Sequence, residues 1–484
     1  MARLPDMPRT TKIVATLGPA SSDPAILNQL VAAGIDVVRL NFSHGTADDH
    51  RQRVDHLRLA MSAQSRTVGV MADLQGPKIR IGKFAGRKVL LKPGQSFILA
   101  AQCELGDANR VGLDYPELVQ DVVAGDVLLL DDGRIIMDVS GIDGDEVRCT
   151  VRHGGELSNN KGINKQGGGL SAPALTDKDK EDIRTAASLN VDYVAVSFPK
   201  SGDDLRHARE LLQAAGSRAL VIAKIERVEA IANLEDILDA CDGVMVARGD
   251  LAVEVGDAAV PALQKRIIRR AREHNRFAIT ATQMMESMIH SPVPTRAEVS
   301  DVANAVLDGT DAVMLSGETA AGDYPVKTVE AMARICVEAE KSSEVSLEKH
   351  FLDRVFTRID QSIAMAALFA ANHLKVKAIA SLTESGSTAL WMSRLNAGVP
   401  IYALTQDVRT RYKVCIFKGV YPVMMRQSGH DRDELLREAE EQLIRTGAVE
   451  PGDLIVLTIG EPIGTPGGTN TLKIVRVGDT RTTD

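Results

Sequence analysis

The sequence predicts an α/β protein: a (β/α)8 TIM barrel with an inserted all-β lid domain and a C-terminal α/β domain. Three observations predict it. Strand-like and helix-like segments alternate until eight pairs are complete, the number a closed barrel requires. The alternation breaks once, from Gly76 to about Ala172, where short alternating segments lie between Gly, Asp and Pro turns. A further strand–helix series follows a charged linker that begins near Ser342. An open doubly wound sheet is the alternative, but no GxGxxG opens the first unit.

The elements follow in order. KIVATLG (Lys12–Gly18) reads as a strand, and Asp23-Pro24 as the cap and first residue of a helix that stops at Gly34. VVRLNFSHG and TVGVMADL supply the second and third strands, with a helix between them. Within the insertion, Lys88–Leu91, Ser96–Ala100, Val127–Leu130, Ile135–Val139 and Glu146–Val151 read as strands of a small barrel or sandwich. Its exit, NNKGINKQGGGLSAPALT, is Gly-rich and suits a hinge. Thr176 caps a helix over Asp177–Ala187. DYVAVSF, ALVIAK, DGVMVA, RFAITAT and DAVMLS are strands four to eight. The expected domains are therefore 1–73 with 173–341 (barrel), 74–172 (lid) and 342–484 (C-terminal domain).

Composition bounds the function. A chain of 484 residues suggests two or three domains, because single cores rarely exceed about 250–300 residues. A hydrophobic content of 44% with only 3% aromatics means cores of Val, Ile, Leu, Ala and Met. A net charge of −8 argues against nucleic-acid binding. Five cysteines, none at CxxC spacing, argue against disulfides and thiolate metal sites. There is no apolar leader, and no run approaches the ~20 apolar residues of a membrane span, so a soluble cytoplasmic protein with no membrane partner is expected.

In a barrel every strand's carboxyl end opens on one face. Those ends offer Arg39, Asn41, Ser43 and His44; Asp73; Ser197; Lys224 and Glu226; Gly249 and Asp250; Thr282 and Gln283; Ser316 and Glu318. Carboxylates at Asp73, Glu226 and Asp250 beside Arg39 and Lys224 describe a site for a metal and an anion. Hard oxygen ligands favour Mg2+ or Mn2+ over Zn2+. Arg80 and Lys161, beside glycines at the two ends of the insertion, suit a lid that closes on a phosphorylated ligand. Plainer readings are that Arg39 only pairs with Asp73, that His44 and Gln283 are structural, and that Arg248 makes a salt bridge with its neighbouring carboxylates.

Several of these segments are long motifs: RLNFSHG (Arg39–Gly45), DLQGPKIR (Asp73–Arg80), AKIE (Ala223–Glu226), MVARGDL (Met245–Leu251), ATQMMESM (Ala281–Met288) and PTRAEVSDVANAVLDGTDAVMLSGETA (Pro294–Ala320). With the later SLTESG, they resemble the pyruvate kinase family, in its bacterial form, over essentially the whole chain. The resemblance implies phosphoryl transfer from phosphoenolpyruvate to ADP, giving pyruvate and ATP. It implies that Glu226 and Asp250 hold the divalent metal, that Lys224 stabilises the transferring phosphoryl group and that Arg39 binds the phosphate of phosphoenolpyruvate. Backbone groups at Gly249 and Asp250 would receive the carboxylate, and Thr282 would assist protonation of the enolate through water. Arg80 and Lys161, with Asn41 and His44, would face the nucleotide. A homotetramer is the family expectation.

Departures from the family pattern matter. Asn41, Ser43 and Asp73 match positions that hold a monovalent cation, but the following loop reads LQGPK, with Lys78 where potassium-dependent members carry a glutamate. A fixed ammonium there implies that K+ is not required. Ala252 replaces a common glycine. In the C-terminal domain, which resembles the family's regulatory domain, Thr383, Ser385, Gly386, Ser387 and Thr388 form a polar turn before a helix, suited to a phosphorylated effector such as a sugar phosphate or AMP. Gly460–Asn470 is a loop that could cover it, and an ordinary surface turn is the alternative. Two other functions fit part of the pattern: a metal-dependent lyase of the aldolase type, which needs no lid, and a binding protein on a dead barrel, which would not keep Lys224, Glu226 and Asp250.

Overall fold

Eight parallel strands close into the expected barrel in this computed structural model, which describes residues 8–342, 355–395, 398–426, 432–463 and 467–479. The strands are β1 (Lys12–Leu17), β2 (Val37–Asn41), β3 (Gly69–Asp73), β4 (Tyr193–Val196), β5 (Leu220–Ile225), β6 (Gly243–Ala247), β7 (Phe277–Ala281) and β8 (Ala312–Leu315). Each pairs with its sequence neighbours, and β1 pairs with β8 to complete the ring. The insertion does not disturb the order, since Ala195 of β4 lies opposite Asp73 of β3.

The strands are largely apolar because both faces are covered, with Lys12, Arg39, Asp73 and Lys224 as the charged exceptions. In β1, Ile13, Ala15 and Leu17 pack under the outer helices while Val14 points into the barrel. Side-chain caps start the helices where the sequence places them. Asp23 accepts from the N–H groups of Ala25 and Ile26, and Thr176 with Asp179 and Thr295 with Glu298 form reciprocal capping boxes. Arg248–Val255 is a helix that starts directly at the end of β6. Ala252 lies inside this helix, where its methyl group is compatible with the backbone.

The insertion carries its own core of Phe97, Leu99, Leu128, Leu130, Met137, Val147, Cys149 and Leu157. Its main sheet has six strands, in the order Ile163–Lys165, Val127–Leu130, Ile135–Asp143, Glu146–His153, Ser96–Ala100, Arg110–Gly112. The two connections to the barrel run side by side. Arg80 bridges Gly162, Ile81 N–H donates to Lys161 O, and Ile163 N–H donates to Ile79 O, both at 2.9 Å. Gly76 needs to be glycine: its φ is +67° and a Cβ would meet the Cβ of Ser197 at 2.8 Å.

The C-terminal domain is a five-stranded sheet. In sheet order its strands are Val420–Met424, Ile401–Thr405, Ala378–Leu382, Leu454–Gly460 and Thr469–Arg476, the last antiparallel. It closes the end of the barrel opposite the charged strand ends. One apolar cluster runs from Val14, Met71, Tyr193, Ile222, Met245 and Phe277 inside the barrel to Ile416, Phe417 and Val420 in the C-terminal domain. Three aromatics meet here. Phe277 lies 6.1 Å from Tyr193 and 6.0 Å from Phe417, and Tyr193 Oη donates to Tyr412 O at 2.9 Å. All five cysteines are free, and four are buried. Among the described residues no helix is long and apolar enough to cross a membrane.

Candidate active site at the barrel mouth

Lys224 stands at the centre. It is the fifth residue of β5, so its side chain points into the barrel and rises to the mouth. Its ammonium donates to Ser197 Oγ at 2.6 Å and lies 2.9 Å from Glu226 Oε1 and 3.2 Å from Asp73 Oδ1. Ser197, which the strand ends offered without a role, donates in turn to Leu74 O at 2.7 Å. Burial alone would discharge Lys224, but Asp73 and Glu226 outweigh it and hold the group cationic, with its pKa raised. Asp73 is 1% exposed; burial works to raise its pKa, but Lys224 and Arg39 more than reverse this and keep it ionised.

Arg39 Nε sits 2.6 Å from Asp73 Oδ2, and its Nη1 donates to Thr16 Oγ1 at 3.2 Å. The plainer reading of Arg39 is thus observed geometry, and it also pre-orients the guanidinium toward the mouth. Glu226 is 1% exposed and its Oε2 accepts the Phe198 N–H at 2.8 Å. Burial pushes its pKa up to about 6; Lys224 opposes this, and the charge of Asp250 adds to it. Glu226 Oε1 and Asp73 Oδ1 are buried without a hydrogen bond and face only the Lys224 ammonium.

Asp250 lies in the first turn of the helix Arg248–Val255, where the N-terminal amides favour an anion. The Gly249 N–H is engaged: it donates to Thr282 Oγ1 at 2.9 Å, and that hydroxyl donates to Ala281 O at 2.7 Å. Thr282 and Gln283 both have positive φ, +68° and +52°, which swings Thr282 from the end of β7 toward this helix. Arg248 makes the expected salt bridge, but with Asp301 at 2.7 Å rather than with its sequence neighbours, and it donates to Thr282 O at 2.7 Å. It therefore braces the Thr282 turn. Glu318 is structural as well, accepting the N–H groups of Met285 and Ser316.

Asn41 and Asp73 are register partners on β2 and β3, and Asn41 Oδ1 accepts the Ser43 N–H at 3.1 Å. His44 is exposed at the end of the same loop. Lys78 is exposed on the other side of Gly76. It lines a cleft with Asp132, Asn164, Arg227 and Asp250, and its ammonium makes no ion pair among the described residues. Arg80 lies at the hinge, its N–H bonded to Asp114 Oδ1. Lys161 is paired with Asp131 of the lid at 2.6 Å.

In the C-terminal domain, Thr383, Ser387 and Thr388 line a cavity with Glu384, Gln406, Ile459 and Thr469. Gly386 has φ +79° and its N–H donates to Thr383 Oγ1 at 2.9 Å. Ser385 Oγ donates to Ser387 Oγ at 3.1 Å. Thr388 is buried and shares a 2.7 Å hydrogen bond with Thr469, so it supports the cavity wall. Residues 464–466 of the loop expected to cover this cavity lie outside the described residues.

A (β/α)8 barrel with a hinged all-β lid over a mouth of paired carboxylates and captive cations defines a class of lidded barrel enzyme. Sequence models described as pyruvate kinase, barrel domain, and pyruvate kinase, alpha/beta domain, match residues 8–329 and 361–475. The chain is 53% identical to pyruvate kinase II of Salmonella typhimurium over 475 residues, covering 97% of this chain and 99% of that one. It is 44% identical to a pyruvate kinase of Mycobacterium tuberculosis, covering 98% and 99%. Its fold matches the crystal structure of a pyruvate kinase from Cryptosporidium parvum with a TM-score of 0.92 at 33% identity, covering 97% and 96%. The chain belongs to the pyruvate kinase family.

Proposed function

We propose that the chain transfers the phosphoryl group of phosphoenolpyruvate to ADP, giving pyruvate and ATP, the last step of glycolysis. The observation that carries this reading is the Lys224 ammonium, held charged between Ser197, Asp73 and Glu226 at the mouth of the barrel. Phosphoryl transfer depends on positioning and on charge already in place when the transition state forms. Arg39 offers its guanidinium to the phosphate of phosphoenolpyruvate, and Lys224 faces the group in flight. Backbone groups at Gly249 and Asp250 receive the carboxylate, which requires Thr282 Oγ1 to yield the Gly249 N–H it accepts here. Thr282 orders the water that protonates the enolate. Arg80, Lys161, Asn41 and His44 serve the nucleotide, Lys161 exchanging Asp131 for a phosphate.

Glu226 and Asp250 fit one Mg2+ or Mn2+. Glu226 Oε1 is a buried carboxylate oxygen whose partner is the Lys224 ammonium at 2.9 Å, and the neighbouring charge of Asp250 opposes its ionisation in the absence of a further cation. Among the described residues no group of three or more His, Cys, Asp or Glu is placed to hold a metal, so the proposed ion rests on Glu226 and Asp250 alone from the protein. When bound, such an ion neutralises charge on the reacting oxygens. The test is a coupled assay for pyruvate with phosphoenolpyruvate and ADP: chelation of divalent cations is expected to abolish turnover and Mg2+ or Mn2+ to restore it. Turnover that persists in chelator sinks the metal assignment.

Potassium should not be required. Lys78, on the loop that follows Asp73, supplies a permanent ammonium, and Asp73 itself already answers to Arg39 and Lys224. Rates in tetramethylammonium buffer are expected to stay within about twofold on adding KCl, since the charge is already present; a large saturable activation contradicts this.

The cavity lined by Thr383, Ser387 and Thr388 takes a phosphorylated effector, a sugar phosphate or AMP, at the amino end of the helix Ser387–Arg394. Ser387→Glu, which sets a fixed carboxylate where the phosphate would lie, is expected to abolish activation across a panel of sugar phosphates and AMP while leaving the unactivated rate intact. Undiminished activation in that variant moves the effector elsewhere. A homotetramer in the cytoplasm remains the family-based proposal, checked by sedimentation.

A further inference from the structure

The cleft between lid and barrel contains a cation that the reaction described above does not use. Arg227 directly follows Glu226 and is only 4% exposed. Its guanidinium packs over the Phe198 ring at 5.3 Å. Its Nη1 is buried with no hydrogen-bond partner, and it makes no ion pair among the described residues. A guanidinium cannot shed its charge to suit such a place, so a buried arginine without an acceptor is costly. The nearby carboxylates form no ion pair with it, although Glu254 lines the same cleft and its charge acts on Arg227. Glu254 Oε2 accepts the Val228 N–H at 3.0 Å, and Glu229 Oε1 accepts the Gly169 N–H at 2.6 Å.

The position of Arg227 says what would complete it. It lines a cleft with Lys78, Asp132, Asn164 and Asp250, so residues of both lid and barrel face it. The anion that phosphoenolpyruvate brings is met deeper in the barrel by Arg39 and Lys224. On the phosphoryl-transfer reading, the anion that arrives between lid and barrel is the nucleotide. A terminal phosphate there lies beside Asp250, where the reading above puts the metal, and against two cations. A planar guanidinium is suited to hold it through paired hydrogen bonds.

We propose that Arg227 is a further substrate-binding residue, which with Lys78 grips the terminal phosphate of the nucleoside diphosphate between lid and barrel. This rests on the phosphoryl-transfer reading, but its test does not need turnover. ADP and AMP binding to the full-length enzyme, with Mg2+ present, is measured by equilibrium dialysis for the parent enzyme, Arg227→Gln and Arg227→Lys, all carrying Ser387→Glu so that the effector cavity does not contribute. Loss of a charge-assisted phosphate contact should weaken ADP binding about tenfold or more. AMP, which lacks the terminal phosphate, should bind all three alike, and Arg227→Lys should recover part of the loss. In the coupled assay KM for ADP should rise by a similar factor while KM for phosphoenolpyruvate stays within about twofold. Equal weakening of ADP and AMP, unchanged ADP binding, or a rise confined to KM for phosphoenolpyruvate overturns the assignment. A wild-type enzyme that binds ADP but forms no pyruvate refutes the reaction and leaves the dialysis comparison to decide Arg227.

Discussion

Lys224→Met is expected to lower kcat for pyruvate formation by about 10³-fold, the scale of losing one pre-positioned charge in a water-poor site. The loss should be at least this large because Lys224 serves two roles. It faces the transferring group, and it is the cation that both Asp73 Oδ1 and Glu226 Oε1 face. Without it, two carboxylates buried side by side repel, and burial drives Glu226 further toward the protonated form. Lys224→Arg should rescue little, since a planar fork does not fit among Ser197, Asp73 and Glu226 as a compact ammonium does. Steady-state kinetics with a circular-dichroism check of folding measure this. A fall of less than about tenfold contradicts the role, because no single transition-state contact of this kind is worth so little.

The second large effect is on stability. Arg394, at the end of a C-terminal-domain helix, forms a bidentate pair with Asp311, just before β8, and both are almost fully buried. Asp311 also accepts the N–H groups of Ala278 at 2.8 Å and Lys418 at 3.0 Å, and Arg394 donates to Arg276 O at 2.8 Å. Asp311→Ala leaves a buried guanidinium and two N–H groups without their acceptor. It is expected to cost about 3–5 kcal/mol, the range for breaking a buried pair by removing one partner. Urea unfolding monitored by the single tryptophan, Trp391, which lies in the same helix as Arg394, reads it directly. Arg394→Met in the same chain should recover part of the loss, since an apolar side chain tolerates burial. A cost below about 1 kcal/mol for Asp311→Ala is incompatible with this account.

Much of the barrel was legible because its signals are local. Apolar runs of five or six residues, Asp23 before Pro24, the Thr176 and Thr295 caps and Gly34 at a helix end specify elements without tertiary help. The charged strand ends were legible for a similar reason: a closed parallel barrel brings them to one face whatever the details. What was not legible depends on partners far apart in sequence. Arg248 beside Asp250 suggested a local salt bridge, while its true partner is Asp301 on another helix. The strained backbone at Thr282 has no sequence signature, because only the surrounding packing can hold a threonine at φ +68°. In the lid, pairings as short as Lys83–Phe84 with Leu105–Gly106 carry too few residues to show alternation. Arg227 drew no notice because an arginine after a strand usually means solvent, and only burial without a partner marks it out.

The C-terminal domain shows the same division. Its strands and the polar turn at Thr383–Thr388 could be read locally. That it plugs the barrel through Tyr193, Phe277 and Phe417 could not, since three aromatics scattered over more than two hundred residues form no pattern until the chain is folded.

The central claim is that the charged mouth carries a phosphoryl group from phosphoenolpyruvate to a nucleotide. Pyruvate formation from phosphoenolpyruvate and Mg2+, measured through lactate dehydrogenase with and without ADP and paired with a count of the ATP formed, tests it most directly. The account predicts one ATP for each pyruvate and no pyruvate without ADP. Pyruvate released at the same rate in the absence of ADP, or without ATP, would contradict it.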